Sequence, residues 1–183
     1  SSIVGRKGTV FSFEPVSWIF LILISLIFLK NSKNIIPLNL ALSNRGSFLY
    51  VAPLKTPSSK KTSFKYNTYT GSKIIKNSKP NTYAMKLDDL NFSKKISFIK
   101  IDCEGYELEV LNGGMNLLKK HKPNLLIEFT SNGLLMGFDK IFYGKQKKII
   151  NLLKILGYEA INLKIKSRNK LFIHKKNIKK YIL

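Results

Sequence analysis

The chain has 183 residues, of which 32 are Lys or Arg and 10 are Asp or Glu, so its formal net charge at pH 7 is +22. Hydrophobic residues make up 44% of the sequence, which is enough for a packed core and excludes a wholly disordered chain. The single cysteine excludes an internal disulfide framework and a zinc site built from cysteines.

The first 42 residues predict a strand, an apolar helix and a second strand. The run Thr9–Phe13 favours a strand, and Pro15 suits the first turn of a helix. Residues 16–29 are almost entirely apolar and lack the polar face of a surface helix, so we interpret them as a buried helix. The run is shorter than the roughly 20 residues that span a bilayer, and a membrane-embedded or interfacial helix is the alternative. Residues 34–42 predict the second strand.

A short strand and a long polar segment follow. Residues 48–51 predict an edge strand. Residues 53–82 form a long segment rich in Ser, Thr and Lys with no clear periodicity. We favour a solvated insertion for this segment, with a binding loop, a lid or disorder as the alternatives.

The second half of the chain alternates strands and helices. Residues 96–101 predict a strand, and the spacing of apolar residues predicts a helix from Tyr106 to His121 that Gly113 and Gly114 weaken. The remaining predicted elements are a buried strand, an amphipathic helix and two strands of an antiparallel hairpin, over residues 124–129, 145–156, 158–165 and 171–174. This order predicts one α/β domain over residues 1–183, with a mostly parallel sheet covered by helices on both faces and a C-terminal antiparallel hairpin.

The positive charge comes almost entirely from lysine. Only Arg6, Arg45 and Arg168 are arginine. A specific nucleic-acid reader is expected to use more arginine, because the guanidinium fork matches base edges and phosphates. We therefore expect no specific nucleic-acid binding, and weak adhesion to anionic surfaces.

Carboxylates are scarce, and several stand where a predicted strand ends. Glu14, Asp102 with Glu104, and Glu128 occupy such positions. In doubly wound sheets, ligands bind beyond the carboxyl ends of strands. Glu14 is therefore a candidate for the hydroxyls of a ribose, and Asp102 for a crevice-facing acid. The alternatives are that Glu14 favours the start of the next helix by its charge, and that Asp102 and Glu104 cap the following one.

Glu107 and Glu109 fall in the first turn of the predicted helix from Tyr106. Negative charge there complements the helix dipole. We expect these two acids to serve the dipole and to face solvent.

The acidic segment carries a family resemblance. The pattern Asp-x-Glu-Gly-x-Glu at residues 102–107, with the strands on either side, resembles the FkbM family of S-adenosylmethionine-dependent methyltransferases. Residues 87–90, 8–15 and 38–43 are similar to three further family segments. The resemblance covers most of the chain and is most specific between Leu87 and Phe129.

This resemblance implies a Rossmann-like, doubly wound fold and transfer of a methyl group, most often to a hydroxyl. It implies Asp102 and Glu104 as catalytic candidates, Glu14, Ala41 and Leu42 as cofactor-binding candidates, and no metal. The family's first strand and acidic cofactor loop are expected before Ser1, so we expect this chain alone to bind the cofactor poorly.

The expected partner is a small-molecule or glycan acceptor, and the oligomeric state is left open. The expected location is cytoplasmic, with membrane contact through Val16–Leu29 as an open alternative. A non-catalytic fragment or pseudoenzyme of the same fold, and a membrane-associated basic protein, are the alternative functions.

Overall fold

A computed structural model gives the fold as two compact units, Ser1–Met85 and Lys86–Leu183, here called the N-terminal and C-terminal units. Both mix helices and strands, so the α/β class is confirmed. That residues 1–183 form one domain stays a prediction. The residues that the structure describes are 3–5, 7–53, 72–74, 79–129, 139–161 and 168–178.

The N-terminal unit contains one helix and short strands. In chain order they are β1 (Val10–Phe13), α1 (Ser17–Leu29), β2 (Ile35–Leu38), β3 (Ala41–Leu42), β4 (Ser47–Leu49), β5 (Val51–Pro53), β6 (Ser72–Ile74) and β7 (Thr82–Met85). Strands β1 and β2 pair in parallel on either side of α1, as the sequence predicts. Strand β7 pairs in parallel with β3 and antiparallel with β4, and β5 pairs antiparallel with β6.

One strand prediction in this unit needs correction. The predicted strand over residues 34–42 is two strands, because β2 pairs with β1 whereas β3 pairs with β7. Between them the Asn39 side-chain amide donates a hydrogen bond to the Glu14 carbonyl oxygen, 2.7 Å away. Of the predicted long insertion, residues 54–71 and 75–78 lie outside the described residues.

Helix α1 is exposed, so the interpretation of residues 16–29 as a buried helix is wrong. None of its residues is buried, and Phe28 and Leu29 are 82% and 77% exposed. Helix α1 contacts β2 on one side. Because β1 and β2 form a sheet of only two strands, that sheet covers one side of α1 and leaves the opposite side of the helix exposed. Among the described residues, no helix has both the length and the hydropathy needed to cross a membrane.

The C-terminal unit is built around one four-stranded sheet with strand order β10-β11-β9-β8. Its elements are a 3₁₀ turn (Leu87–Asp89), β8 (Phe98–Ile101), α2 (Glu107–Gly113), α3 (Met115–His121), β9 (Asn124–Glu128), α4 (Asp139–Ile155), β10 (Tyr158–Ile161), β11 (Asn169–His174) and α5 (Lys175–Ile178). Strands β8 and β9 are parallel, and β11 is antiparallel to both β9 and β10. The predicted hairpin is therefore confirmed.

The core of the C-terminal unit lies along the central strands. Leu125 and Ile127 of β9 are fully buried, and Phe172 of β11 is almost so. Ile149 and Leu153 of α4 are buried too, as the predicted apolar face of that helix requires. Because apolar burial is the dominant favourable term in folding, these side chains fix how β8, β9 and β11 align.

The predicted helix from Tyr106 to His121 is in fact two helices. The chain breaks at Gly114, where an added Cβ would lie 3.0 Å from Leu87 Cδ2. Next to this contact, the Asp88 carboxylate accepts hydrogen bonds from the Asn116 and Leu117 backbone N–H groups at 2.9 and 2.8 Å. A side chain distant in sequence therefore satisfies the donors that begin α3.

Sheet direction agrees with the sequence in part. Three strand pairs of the described chain are parallel and four are antiparallel, so the pairing is mixed rather than mostly parallel. The β1–β2 and β8–β9 pairs, each with helix between its strands, are parallel as predicted. Strands β10 and β11 are joined by seven residues, and so short a connection favours an antiparallel pair.

Candidate active site

Two carboxylates meet where β8 and β9 end. The parallel register pairs Ile101 with Ile127, so Asp102 and Glu128 are the next residues on neighbouring strands. Their carboxyl groups are hydrogen-bonded to each other. Such a bond needs one proton between the two groups, because an ionised carboxylate is only an acceptor.

Glu128 is the member of this pair that holds the proton. The hydrogen bond to Asp102, reinforced by burial and by the charges of Asp102 and Glu104, raises the pKa of Glu128 to about 7. Burial works against ionisation of Asp102 as well, but hydrogen bonds from Glu128 and Lys100 outweigh it and hold the pKa of Asp102 below its usual value. The Lys100 Nζ lies 2.6 Å from Asp102 Oδ2. The site therefore pairs an anionic Asp102 with a Glu128 that keeps its proton up to about pH 7.

The turn after β8 is held in shape by Glu107. Glu104 and Gly105 adopt positive φ angles of 50° and 96°, a conformation that favours glycine at the second position. Glu107 Oε1 accepts a hydrogen bond from the Gly105 N–H at 2.9 Å, and the Cys103 thiol donates to the same oxygen at 3.7 Å. Glu107 is 6% exposed, so the expectation that it faces solvent is wrong. It is held inside by these contacts.

A lysine of helix α4 also stabilises this turn. The Lys145 ammonium donates to the Gly105 carbonyl oxygen at 2.9 Å and to Glu109 Oε1 at 3.0 Å. It also lies 5.6 Å from the centre of the Tyr106 ring. The solvent-facing role expected for Glu109 is therefore wrong, because Glu109 forms a partly buried ion pair with a residue 36 positions away.

Glu104 and Cys103 flank Asp102 in different environments. Glu104 is exposed, and partial burial of its carboxyl group, with the charges of Asp102 and Glu107, raises its pKa while Arg168 opposes the rise. Burial, with Glu107 beside it, raises the pKa of the Cys103 thiol far above its usual range. The thiolate is the nucleophilic form, so Cys103 is unsuited to nucleophilic chemistry. Among the described residues, no group of three or more His, Cys, Asp or Glu side chains is placed to hold a metal ion.

The predicted cofactor-binding residues lie in the N-terminal unit. Glu14 Oε1 accepts a hydrogen bond from the Val16 N–H at 2.8 Å, one residue before α1 begins. Burial raises the pKa of Glu14, and the bond from Val16 opposes that rise. Ala41 is buried in the pairing of β3 with β7, and Leu42 is half-buried beside it. Their roles in cofactor binding stay predictions.

Sequence reasoning did not assign three residues of this site. Glu128 could be recognised in the sequence as an acid at the end of a strand. The sequence did not show that this strand, β9, lies beside β8. Lys100 precedes Asp102 by two residues, so both side chains fall on one face of the strand, and that spacing was a usable signal. Lys145 gave no signal, because its contact depends on how α4 packs.

Comparisons with known proteins point to one family. The family model for the Methyltransferase FkbM domain matches residues 1–160. Among solved structures, the chain is similar to the crystal structure of Methyltransferase FkbM from Methylobacillus flagellatus KT, with a TM-score of 0.52 and 17% sequence identity. That match covers 91% of this chain and 36% of the other, so this chain spans about a third of that protein. The comparison with curated proteins gave no match.

The buried position of Glu107 predicts a large loss of stability on truncation. In Glu107→Ala, the Gly105 N–H loses its acceptor, and an unsatisfied buried donor costs about 1–3 kcal/mol. Glu159→Ala removes an exposed carboxylate from β10 and should change the free energy of unfolding by less than about 0.5 kcal/mol. Urea denaturation of both variants measures the difference. Equal losses would show that Glu107 does not hold the turn.

The raised pKa of Glu128 predicts a pH-dependent stability difference. Its pKa is about 7 in the folded chain against 4.5 in the unfolded one, so the folded state binds more protons between these values. The contribution of Glu128 to stability is therefore present below pH 4.5 and lost as pH rises towards 7. Glu128→Gln keeps a donor to Asp102 and does not titrate, so it should gain stability relative to the wild type from pH 5 to pH 8.

The measurement is the free energy of unfolding in urea at several pH values between these limits, with Glu159→Gln as the matched control. Groups that do not interact with Glu128 titrate alike in both chains and cancel in the difference. Parallel curves for the wild type and Glu128→Gln would contradict the shared proton.

Proposed function

The chain belongs to the FkbM methyltransferase family, and from that premise we propose that it transfers a methyl group from S-adenosylmethionine to a hydroxyl group of its acceptor. The observation that carries this proposal is the hydrogen-bonded pair of Asp102 and Glu128 at the ends of two parallel strands. Family membership supports a methyltransferase. The cofactor, the hydroxyl acceptor and the Rossmann-like, doubly wound arrangement are parts of the proposal.

Glu14 is chemically suited to the cofactor. A carboxylate has about four acceptor positions, and the Val16 N–H uses one of them. Ribose hydroxyls are donors, so the remaining positions fit them. We assign Ala41 and Leu42 to the cofactor's surroundings on the family resemblance of residues 38–43. When bound, S-adenosylmethionine supplies an electrophilic methyl group on a sulfonium.

Asp102 is the proposed proton acceptor for the acceptor hydroxyl. With the cofactor bound, the acceptor hydroxyl would receive the methyl group and would have to lose its proton. The hydroxyl proton then passes to Asp102, whose anionic form Lys100 maintains. A positioned proton acceptor contributes about 10²–10⁴-fold to rate. Glu104, which is exposed, is the second carboxylate of the proposal.

The other residues of the turn position Asp102. In-line displacement depends strongly on orientation, and correct orientation of the two reactants lowers the activation barrier by several kcal/mol. Glu107 holds the turn from inside, and Lys145 holds it from α4. They are positioning residues, since their contacts are with Cys103, Gly105, Tyr106 and Glu109.

The acceptor class follows from the same proposal. A small-molecule or glycan acceptor offers the hydroxyl that the chemistry needs, and we propose a cytoplasmic enzyme. A non-catalytic protein of the same fold is the competing function. The test of Asp102 below separates the two, because a non-catalytic protein would show no turnover to lose.

Replacing Glu14 should weaken cofactor binding. Glu14→Gln keeps the shape and an acceptor oxygen for the Val16 N–H, but it removes the charge that strengthens hydrogen bonds from ribose hydroxyls. The expected loss is about 1–2 kcal/mol, or about 5- to 30-fold in Kd. Isothermal titration of S-adenosylmethionine into the protein measures it, with Glu159→Gln as control. Unchanged affinity would refute the assignment of Glu14.

Replacing Asp102 should abolish most turnover without unfolding the chain. Asp102→Asn is nearly isosteric, and we expect single-turnover rates at saturating cofactor to fall about 10²–10⁴-fold. Glu159→Gln should keep the wild-type rate, because it lies on the exposed surface of β10. Melting curves recorded for both variants show whether the fold survives. A near wild-type rate for Asp102→Asn would mean that the acid is structural.

A further inference from the structure

Helix α1 presents an apolar surface to solvent. Its exposed side chains are large and aliphatic or aromatic, namely Trp18, Leu21, Ile22, Ile24, Leu26, Phe28 and Leu29. The remaining apolar residues of the helix are only half-buried. A helix that is apolar all round is ordinarily enclosed in protein or in lipid, because a water-facing side is normally polar. The exposed side of α1 is therefore a surface suited to an apolar partner.

Charge around α1 indicates the nature of that partner. The N-terminal unit contains twelve Lys or Arg residues and a single carboxylate residue, Glu14. The Glu14 carboxylate is bonded to the Val16 N–H at the start of the helix. Lys30 and Lys33 follow the last turn of α1, and both are exposed. The apolar surface thus has positive charge at the C-terminal end of α1, which complements an anionic partner.

We propose that α1 docks the protein on a membrane surface rich in anionic phospholipid. The apolar side chains of α1 enter the boundary between headgroups and acyl chains, and Lys30 and Lys33 contact the phosphates. Thirteen residues of helix are about 20 Å long, which is shorter than the roughly 30 Å hydrocarbon core, so the helix lies at the surface. Trp18 in the first turn suits the headgroup level, where tryptophan is enriched.

A second copy of the chain is a less suitable occupant than a membrane. Pairing two α1 helices would bring two strongly positive units together, and like charges oppose such an association. An anionic surface gains from the same charge. The proposal does not depend on methyl transfer, so its test can fail or succeed separately from that of the proposed function.

Trp18 provides a direct probe, because it is the single tryptophan of the chain. The full chain is titrated with vesicles of phosphatidylcholine and phosphatidylglycerol, and separately with phosphatidylcholine alone. We expect a blue shift of the Trp18 emission and co-sedimentation with the anionic vesicles, and quenching by brominated acyl chains. Absence of the shift and of the quenching would overturn the proposal, even where the protein co-sediments, because lysine adhesion alone leaves α1 in water.

Two pairs of variants separate the apolar from the electrostatic contribution. Leu21→Glu with Leu29→Glu should abolish the emission shift, whereas Ile155→Glu, at an 83% exposed residue ending α4, should leave it unchanged. Lys30→Gln with Lys33→Gln should weaken binding to anionic vesicles by about tenfold or more, whereas Lys147→Gln with Lys148→Gln should have a much smaller effect. Circular dichroism confirms that each variant is folded.

Two results would overturn the assignment of α1. The first is an emission shift that persists in the variant with Leu21→Glu and Leu29→Glu. The second is a wild-type dimer, seen by sedimentation velocity without lipid, that these two substitutions dissociate. The second result would assign the apolar surface of α1 to another copy of the chain.

Discussion

The parallel register of β8 and β9 is the constraint on which the candidate site depends. Leu125 and Ile127 are fully buried, and a shift by one residue would turn both away from the core. That cost fixes Ile101 opposite Ile127, and it thereby fixes Asp102 beside Glu128. Asp102 and Glu128 are 26 positions apart in sequence, and they share a proton because the buried residues that precede them fix the register of the two strands. The chemistry of the site thus depends on the packing of the sheet.

The turn between β8 and α2 depends on contacts from two directions. Glu107 bonds to the Gly105 N–H from within the turn, and Lys145 reaches the Gly105 carbonyl oxygen from α4. The N–H and the carbonyl oxygen of Gly105 are therefore both hydrogen-bonded to side chains. Gly105 has a positive φ angle, which lies outside the regular helix and strand conformations. Because Asp102 opens this turn, its position relative to any acceptor follows from the same contacts.

The sequence predicts what is local and periodic. The strands at 96–101 and 124–129, the apolar face of α4 and the C-terminal hairpin follow from hydrophobic spacing and short connections, and the structure confirms them. Two features depend on distant residues and escaped prediction: the break at Gly114 against Leu87, and the pairing of Asp102 with Glu128. The burial of Glu107 also escaped prediction, although its contacts with Gly105 and Cys103 are local. The exposure of α1 was not predicted for another reason. Hydropathy shows that the helix is apolar, but it does not show what the helix packs against.

Cys103, the single cysteine of the chain, lies in the turn that follows β8. Its thiol is partly enclosed, and the neighbouring Glu107 carboxylate disfavours the thiolate. Alkylation requires the thiolate, so the closed turn protects the sulfur. When the turn opens, the enclosure and the Glu107 contact are lost together and the thiol regains its ordinary acidity. The rate at which the sulfur is alkylated therefore reports how often the backbone beside Asp102 leaves its folded conformation.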